Sequence, residues 1–143
     1  MQPIEGGCLC GAVRYAVRSD PITTRNCWCR VCQYLAAGNA SVNVVFPKDA
    51  VTITGELRDY ASTADSGNKM HRRFCPTCGT QMFSESEARP NLIIIRAGTL
   101  DDREVAKPAG VIWTRSAPSW GYIDPDAPHF EGQPPAPAPA KPA

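Results

Sequence analysis

The chain has 143 residues, of which 43% are hydrophobic and 20% charged, a balance that suits one folded domain and excludes disorder of the whole chain. Its formal net charge of +1 argues against a dedicated nucleic-acid-binding protein, which usually carries a basic excess. Residues 1–7 hold no apolar run typical of a secretory signal, and the longest apolar run, residues 92–95, is too short to cross a bilayer. We therefore expect a single cytoplasmic domain without a nucleic-acid or membrane partner.

Short runs of β-branched and aromatic residues recur along the chain and predict strands. In residues 12–17 the side chains of Val13, Tyr15 and Val17 are expected on one face and Arg14 on the other. This alternation is typical of a half-buried strand. Residues 92–95 are continuously apolar and predict the most buried strand. Further strands are expected at residues 22–29, 41–46, 51–53, 57–60, 70–74 and 111–114. Little helical periodicity accompanies them, so the predicted fold class is mainly β.

Two segments depart from the strand pattern. Residues 30–37 favour a short helical turn that ends at Gly38, and this would place Cys32 near a helix N-terminus, where a thiolate is stabilised. From Glu131 onward prolines alternate largely with alanines, a composition that predicts an extended, mobile tail. The sequence therefore divides into a folded domain of residues 1–130 and a tail of residues 131–143.

All seven cysteines lie in three clusters. They are the central triplet Cys27, Cys29 and Cys32 and two outer pairs, Cys8 with Cys10 and Cys75 with Cys78. A C-x-C sequence in an extended strand points both sulfurs to one face, and a C-x-x-C sequence brings its sulfurs together across a turn. Two pairs can close a tetrahedral site with four thiols, whereas three thiols leave one position open, as in zinc sites that perform chemistry.

Metal ions are favoured over disulfides as the partners of these thiols. Clustered cysteines in a reducing compartment are more often metal ligands, and a count of seven would leave one thiol unpaired. An i, i+2 pair in a strand is also about 7 Å apart, at the edge of what a disulfide can span. An iron centre in the four-thiol site, similar to that of rubredoxin, is an alternative to zinc that the colour of the protein would reveal.

Three motifs taken together resemble the glutathione-dependent formaldehyde-activating enzyme (GFA) family, also called the centromere-protein-V family. They are the stretch from Cys8 to Tyr15, the central triplet, and R-F-C-P-T-C-G at residues 73–79. The resemblance covers about residues 5–123 and implies antiparallel β-sheets similar to the Mss4 fold around a structural zinc. The implied structural ligands are Cys8, Cys10, Cys75 and Cys78, and the implied catalytic zinc ligands are Cys27, Cys29 and Cys32. Position 28 is Trp in this chain, where many members have His.

The resemblance further implies a carbon–sulfur lyase that acts on an adduct of a small thiol, such as glutathione, with an aldehyde. A zinc ion with three thiolates could hold the substrate thiol as thiolate or polarise the aldehyde oxygen, and we favour the first role because thiolate donors reduce Lewis acidity. The alternative is a non-catalytic zinc module with a chaperone-like or protein-interaction role. A fourth protein ligand at the triplet, such as His71 or a carboxylate, would favour that alternative.

Other side chains near the clusters have both a functional and a structural interpretation. His71 and His129 are candidate proton carriers, although a lone histidine is more often a surface or hydrogen-bonded residue. Aromatic side chains could wall a pocket or pack in the core, and these are Trp28, Tyr34, Trp113 and Trp120. Arginines could offset the charge of metal-bound thiolates, or simply be solvated, and these are Arg14, Arg25, Arg30, Arg72 and Arg73. Arg30 could also pair with a glutathione carboxylate.

Overall fold

The structure is a computed structural model that describes residues 2–135. Within that range the chain forms a three-stranded sheet in the order β1-β2-β5 and a seven-stranded sheet in the order β10-β3-β4-β9-β8-β7-β6. The strands are Ile4–Gly7 (β1), Arg14–Val17 (β2), Thr23–Cys27 (β3), Ser41–Pro47 (β4), Val51–Thr54 (β5), Arg58–Thr63 (β6), Lys69–Phe74 (β7), Gln81–Ser86 (β8), Leu92–Arg96 (β9) and Gly110–Ile112 (β10). The α-helix is Arg30–Leu35 (α1), and short 3-10 turns cover Lys48–Ala50, Ala97–Thr99, Arg103–Ala106 and Thr114–Ser116. The prediction of a mainly-β fold is confirmed.

The main hydrophobic core lies between the two sheets. Val13, Tyr15 and Val17 of the small sheet are buried and face buried side chains of the large one. The rings of Tyr15 and Phe83 meet edge to face, with their centroids 5.4 Å apart. The alternation seen in residues 12–17 therefore predicted this buried face correctly.

Strand β9 is not the most buried strand, contrary to the prediction. Its side chains alternate between buried and half-buried, whereas the four central residues of β8 are all buried. The reason is that the two faces of the large sheet differ: Ile93 and Ile95 enter the core, while Ile94 lies on the opposite face and lines a cavity. An unbroken apolar run does not reveal that second environment.

Strand β10 introduces a parallel pair into sheets that are otherwise antiparallel. Gly110 to Ile112 run parallel to β3, with Ile112 opposite Cys27. Residues 128–130 lie along the outer side of β10 and also run parallel to it, and the Phe130 N–H donates to the Val111 carbonyl at 2.9 Å. The two strands of this parallel pair, β3 and β10, are far apart in sequence, so local sequence patterns did not predict their pairing.

The predicted tail begins with residues that contact the domain. Trp113 Nε1 donates to Gln133 Oε1 at 3.0 Å, and Pro134 is buried. Residues 136–143, which make up most of the predicted tail, lie outside the described residues. No helix within residues 2–135 is both long and apolar enough to span a membrane.

Candidate metal centres and the adjoining cavity

The two outer cysteine pairs come together at one point, although they are far apart in sequence. The four Sγ atoms of Cys8, Cys10, Cys75 and Cys78 all lie within 4.8 Å of one another. Cys10 Sγ is 3.6 Å from Cys8 Sγ and 3.8 Å from Cys75 Sγ. A tetrahedral zinc ion with Zn–S bonds of 2.3 Å requires sulfur atoms about 3.8 Å apart. The four thiols therefore fit a closed zinc site.

Each of these pairs is held in a turn rather than in a strand. Cys8 and Cys10 follow β1 in a turn that closes at Gly11, whose φ is 81°, so the expectation of an extended C-x-C pair does not hold here. Gly79 closes the second turn with a φ of 75°, a conformation that favours glycine. In both turns the sulfurs converge because the backbone reverses its direction.

Hydrogen bonds to sulfur prepare the four-thiol site for a cation. The Val13 N–H donates to Cys8 Sγ at 3.2 Å, and the Thr80 hydroxyl lies 3.0 Å from Cys78 Sγ. The hydrogen bond from Thr80 lowers the pKa of Cys78 to about 5. This hydrogen bond therefore favours the thiolate form of Cys78, which is the form that binds a metal ion.

The central triplet is formed where β3 passes into α1. Cys27 is the last residue of β3, Cys29 is the N-cap of α1, and Cys32 lies in the first helical turn. The Cys32 N–H donates to Cys29 Sγ at 3.3 Å, so the thiol of Cys29 caps the helix. All three side chains are buried, and their Sγ atoms lie within 4.8 Å of one another.

The three thiols share their protons unevenly. Hydrogen bonds from Cys27 and Cys29 lower the pKa of Cys32, whereas the contact with Cys29 raises the pKa of Cys27. Three thiolates this close repel one another in a buried site, so a divalent cation is needed to hold all three deprotonated. The donor set thus fits a metal ion with three protein ligands.

No fourth ligand completes the triplet within residues 2–135, since no histidine or carboxylate joins these three sulfurs. His71 is elsewhere, on the outer strands of the large sheet: its Nδ1 is 2.6 Å from Asp59 and its Nε2 is 3.2 Å from Glu87. His129 Nε2 is bound to the Asp124 carbonyl. The fourth position at the triplet is therefore left to a group from outside the described chain.

A cavity of about 130 Å³ adjoins the triplet and provides that access. Its floor is the face of the large sheet opposite the main core, and its lining includes all three cysteines of the triplet. Three residues on adjacent strands lie side by side on this floor. Arg25 on β3 is opposite Asn43 on β4, and Asn43 is opposite Arg96 on β9. A cavity of this volume admits a group about the size of a benzene ring next to the sulfurs.

Comparison with known proteins shows which family and which fold this chain resembles. The sequence model of the family described as "Glutathione-dependent formaldehyde-activating enzyme" (GFA) matches residues 3–116. The chain belongs to this family. A Halomonas elongata protein named "Putative glutathione-dependent formaldehyde-activating enzyme" is 27% identical over 127 residues, which cover 85% of this chain and 81% of that protein. The crystal structure of a Rhodobacter sphaeroides protein, a structural genomics target, has the same fold: its TM-score is 0.57 at 19% identity, with 73% of this chain and 97% of that chain covered.

Most of the aromatic residues singled out from the sequence of this GFA-family chain lie outside the cavity. Trp28 is buried beside the triplet and packs against Gly121, whereas Tyr34 and Trp120 are exposed. Trp113 does line the cavity, in a left-handed conformation with a φ of 59° directly after β10. Trp28 is thus a buried packing residue beside the triplet and is not part of the cavity wall.

Gln33 is a structural element of the GFA site that the sequence patterns did not indicate. Its side-chain amide donates to the carbonyls of Trp28 at 2.8 Å and of Ser116 at 2.9 Å, and it accepts from Arg30 at 2.7 Å. These bonds fix α1 against the backbone of Trp28, between Cys27 and Cys29, and against the segment after β10. A buried glutamine on a six-residue helix has no distinctive sequence signal.

The arginines near the cysteine clusters fall into two groups. Arg14 and Arg73 are paired with Asp101 and Glu85 on other surfaces. Arg30 is exposed and lies over the ring of Tyr34. Two of the arginines noted from the sequence line the GFA cavity, and two further arginines do so that were not noted: the four are Arg25, Arg72, Arg89 and Arg96.

Proposed function

We propose that this chain is a zinc-dependent carbon–sulfur lyase that forms or splits the adduct of a small thiol with an aldehyde. Two zinc ions per chain are proposed, a structural ion at Cys8, Cys10, Cys75 and Cys78 and a catalytic ion at Cys27, Cys29 and Cys32. The observation that carries the proposal is that the triplet has three buried sulfurs, no fourth protein ligand within residues 2–135, and an adjoining cavity. Membership of the GFA family supports the substrate class, a glutathione-like thiol with formaldehyde.

A zinc ion bound by three thiolates supplies a position where a substrate thiol is stabilised as its thiolate at neutral pH. The chain contributes the geometry of that position. Cys29 is the helix cap, and the Gln33 amide holds α1 against the backbone of Trp28, so these two contacts favour the observed arrangement of the three sulfurs. Burial of the triplet also keeps bulk water from competing with the substrate sulfur.

The reaction requires no redox partner. In the forward direction the substrate sulfur attacks the carbonyl carbon of the aldehyde, a C–S bond forms, and the carbonyl π electrons move to oxygen, which takes up a proton. In the reverse direction the hydroxyl loses that proton while the C–S bond breaks and the electron pair returns to sulfur. The protein has to provide a site for this proton.

Asp65 is our candidate for the proton carrier. It is the carboxylate among the described residues that line the cavity, and its Oδ2 accepts from the Arg30 N–H at 3.1 Å, next to Cys29. His71 is less suitable, because its two ring nitrogens face Asp59 and Glu87 outside the cavity. Asp65 lines the cavity and is exposed to solvent, and a carboxylate placed there can exchange a proton with the adduct hydroxyl directly or through one water molecule.

The proposed function is tested by exchange NMR, which measures how fast formaldehyde and glutathione interconvert with S-hydroxymethylglutathione. The wild-type protein should accelerate this exchange well beyond the uncatalysed rate. Cys29→Ser should remove the acceleration, and Asp65→Asn should lower it by about 100-fold if the carboxylate carries the proton. Arg14→Gln, on the surface of the small sheet, serves as the control and should behave like the wild type.

Absence of acceleration by zinc-loaded wild-type protein, with glutathione and with a panel of smaller thiols, would contradict the enzyme. A wild-type rate for Cys29→Ser would contradict the assignment of the triplet even if the protein is active.

A further inference from the structure

Three arginines and the central triplet share one face of the large sheet. Arg25 on β3 and Arg96 on β9 flank Asn43, and Arg72 on β7 is the cross-strand neighbour of Ser84 on β8. A fourth arginine, Arg89, follows β8, and all four line the cavity that the triplet adjoins. The floor of this cavity is therefore strongly cationic.

Two of these arginines, the buried Arg72 and the half-buried Arg96, have no carboxylate partner. The side chain of Arg72 is only 5% exposed, and its Nη1 donates to the neutral hydroxyl of Ser62 at 2.8 Å. Arg96 donates to the neutral side chains of Asn43 and Ser84, and its Nε is buried without a hydrogen-bond partner. Neither arginine forms an ion pair with a carboxylate within residues 2–135. A buried charge of this kind is costly unless an anion is bound against it.

The other two arginines of the cavity are likewise without a carboxylate partner. Arg25 and Arg89 form no salt bridge within the described residues, and the pKa of Arg25 is lowered by burial and by the like charge of Arg89. Repulsion between two guanidinium groups at the same cavity is relieved by an anion placed between them. On the opposite face of β7, by contrast, Arg73 Nη1 is paired with Glu85 at 2.9 Å.

The charges of the cavity do not balance within the chain. Four guanidinium groups face one carboxylate, that of Asp65. Three thiolates that hold a divalent cation add one net negative charge, and this still leaves an excess of two positive charges. A ligand with negative charge would complete the site, and its charged group must lie within reach of a sulfur held at the triplet.

We propose that the cavity selects thiols that carry a carboxylate, with Arg72 and Arg25 as specificity-determining residues, an inference that rests on the function proposed above. The substrate sulfur faces Cys27, Cys29 and Cys32, and its carboxylate is bound by the guanidinium groups on the floor. Guanidinium groups bind carboxylates through paired, charge-assisted hydrogen bonds, so they suit this role better than solvated lysines. Uncharged and cationic thiols of the same size are then poor substrates.

Three thiols of similar size that differ in charge provide the activity test: mercaptopropionate, mercaptoethanol and cysteamine, each with formaldehyde. For the wild type we expect kcat/KM to be highest for mercaptopropionate, by about tenfold or more over mercaptoethanol, and lowest for cysteamine. Arg72→Gln and Arg25→Gln should each reduce this preference by about tenfold. Arg73→Gln, one residue away on the opposite face of β7, should retain it. Equal kcat/KM for the three thiols with the wild type would overturn the proposal.

A binding experiment separates this proposal from the proposed function. Succinate contains no thiol, and calorimetric titration of zinc-loaded protein with succinate should show binding that Arg72→Gln and Arg25→Gln weaken and Arg73→Gln does not. Such binding without acceleration for any thiol would support the anion site and overturn the lyase. Acceleration that is equal for all three thiols, with no arginine-dependent succinate binding, would overturn the anion site alone. If Arg72→Gln fails to fold, Arg25→Gln keeps the test decisive, because Arg25 is only half-buried and its substitution should leave the fold intact.

Discussion

At the scale of single residues, His71 has a charge-dependent role far from the proposed chemistry. It lies on β7 between Asp59 on β6 and Glu87 after β8, with ring nitrogens 2.6 Å and 3.2 Å from their carboxylates. The hydrogen bond with Asp59, together with that of Glu87, raises the pKa of His71 above its usual 6.5. The protonated ring therefore links three neighbouring segments at the outer edge of the large sheet.

This link should make stability depend on pH in a defined direction. Because the folded-state pKa is the higher one, the stabilisation is fully present below pH 6.5 and is lost as the pH rises through the folded-state pKa. In urea unfolding, wild type and His71→Gln should differ most near pH 6 and converge at pH 9. A difference between the two proteins that stays constant over this range would contradict the ion pairs. The effect is modest, because the three side chains are partly exposed.

At the scale of structural elements, the segment after β10 supports the triplet from behind. A Cβ atom at Gly121 would lie 2.9 Å from Cη2 of Trp28 and 3.1 Å from the Pro118 carbonyl. Trp28 is buried and separates Cys27 from Cys29, so a displaced indole would move both sulfurs. The absence of a side chain at position 121 is therefore a condition for the geometry of the triplet.

Gly121→Ala should destabilise the protein by about 1–3 kcal/mol through overpacking and should reduce the zinc retained at the triplet. Gly98→Ala is the matched control, since a Cβ at Gly98 meets nothing within 4 Å. Chemical denaturation and metal analysis of the two variants check the expectation. Equal stability and equal zinc content would show that the Trp28 ring moves aside without consequence.

The elements also show what sequence patterns can and cannot predict. Alternation in residues 12–17 predicted a half-buried strand, and the closely spaced cysteines predicted which thiols are brought together locally. Sequence alternation could not show that the second face of the large sheet lines a cavity. Arg96 on β9 and Asn43 on β4 therefore cannot be distinguished by sequence from polar residues that face solvent. Asp65 and Arg89 lie outside the strands, and their approach to the cavity depends on how the strands are ordered in the sheet.

At the scale of the whole molecule, the two cysteine sites belong to different hydrophobic clusters. Cys8 and Cys75 are part of the main core between the sheets. Cys27, Cys29 and Cys32 belong to a second cluster with Val111, Ile112 and Trp113. The four-thiol site therefore joins segments that the core depends on, whereas the triplet lies at the side of the large sheet.

This separation predicts different consequences for the loss of one ligand at each site. Cys75→Ser should cost several kcal/mol of unfolding free energy along with its metal, because binding of a structural zinc is coupled to folding. Cys29→Ser should lose one of two zinc ions while the circular dichroism spectrum stays that of a folded β protein. Metal analysis and thermal unfolding of both variants test this, and equal unfolding of the two would contradict the division into a structural and a catalytic site.

The parallel pairing of β10 with β3 has a consequence for the order in which the protein is made. Cys75 and Cys78 leave the ribosome long after Cys8 and Cys10, so the four-thiol site cannot close until about half of the chain has been synthesised. Strand β3 can pair with β4 early, but its parallel neighbour β10 is made later still. During that interval the triplet lacks Val111, Ile112 and Trp113, the side chains that help to bury it in the folded protein. The triplet can therefore reach its buried arrangement only after β10 has been made.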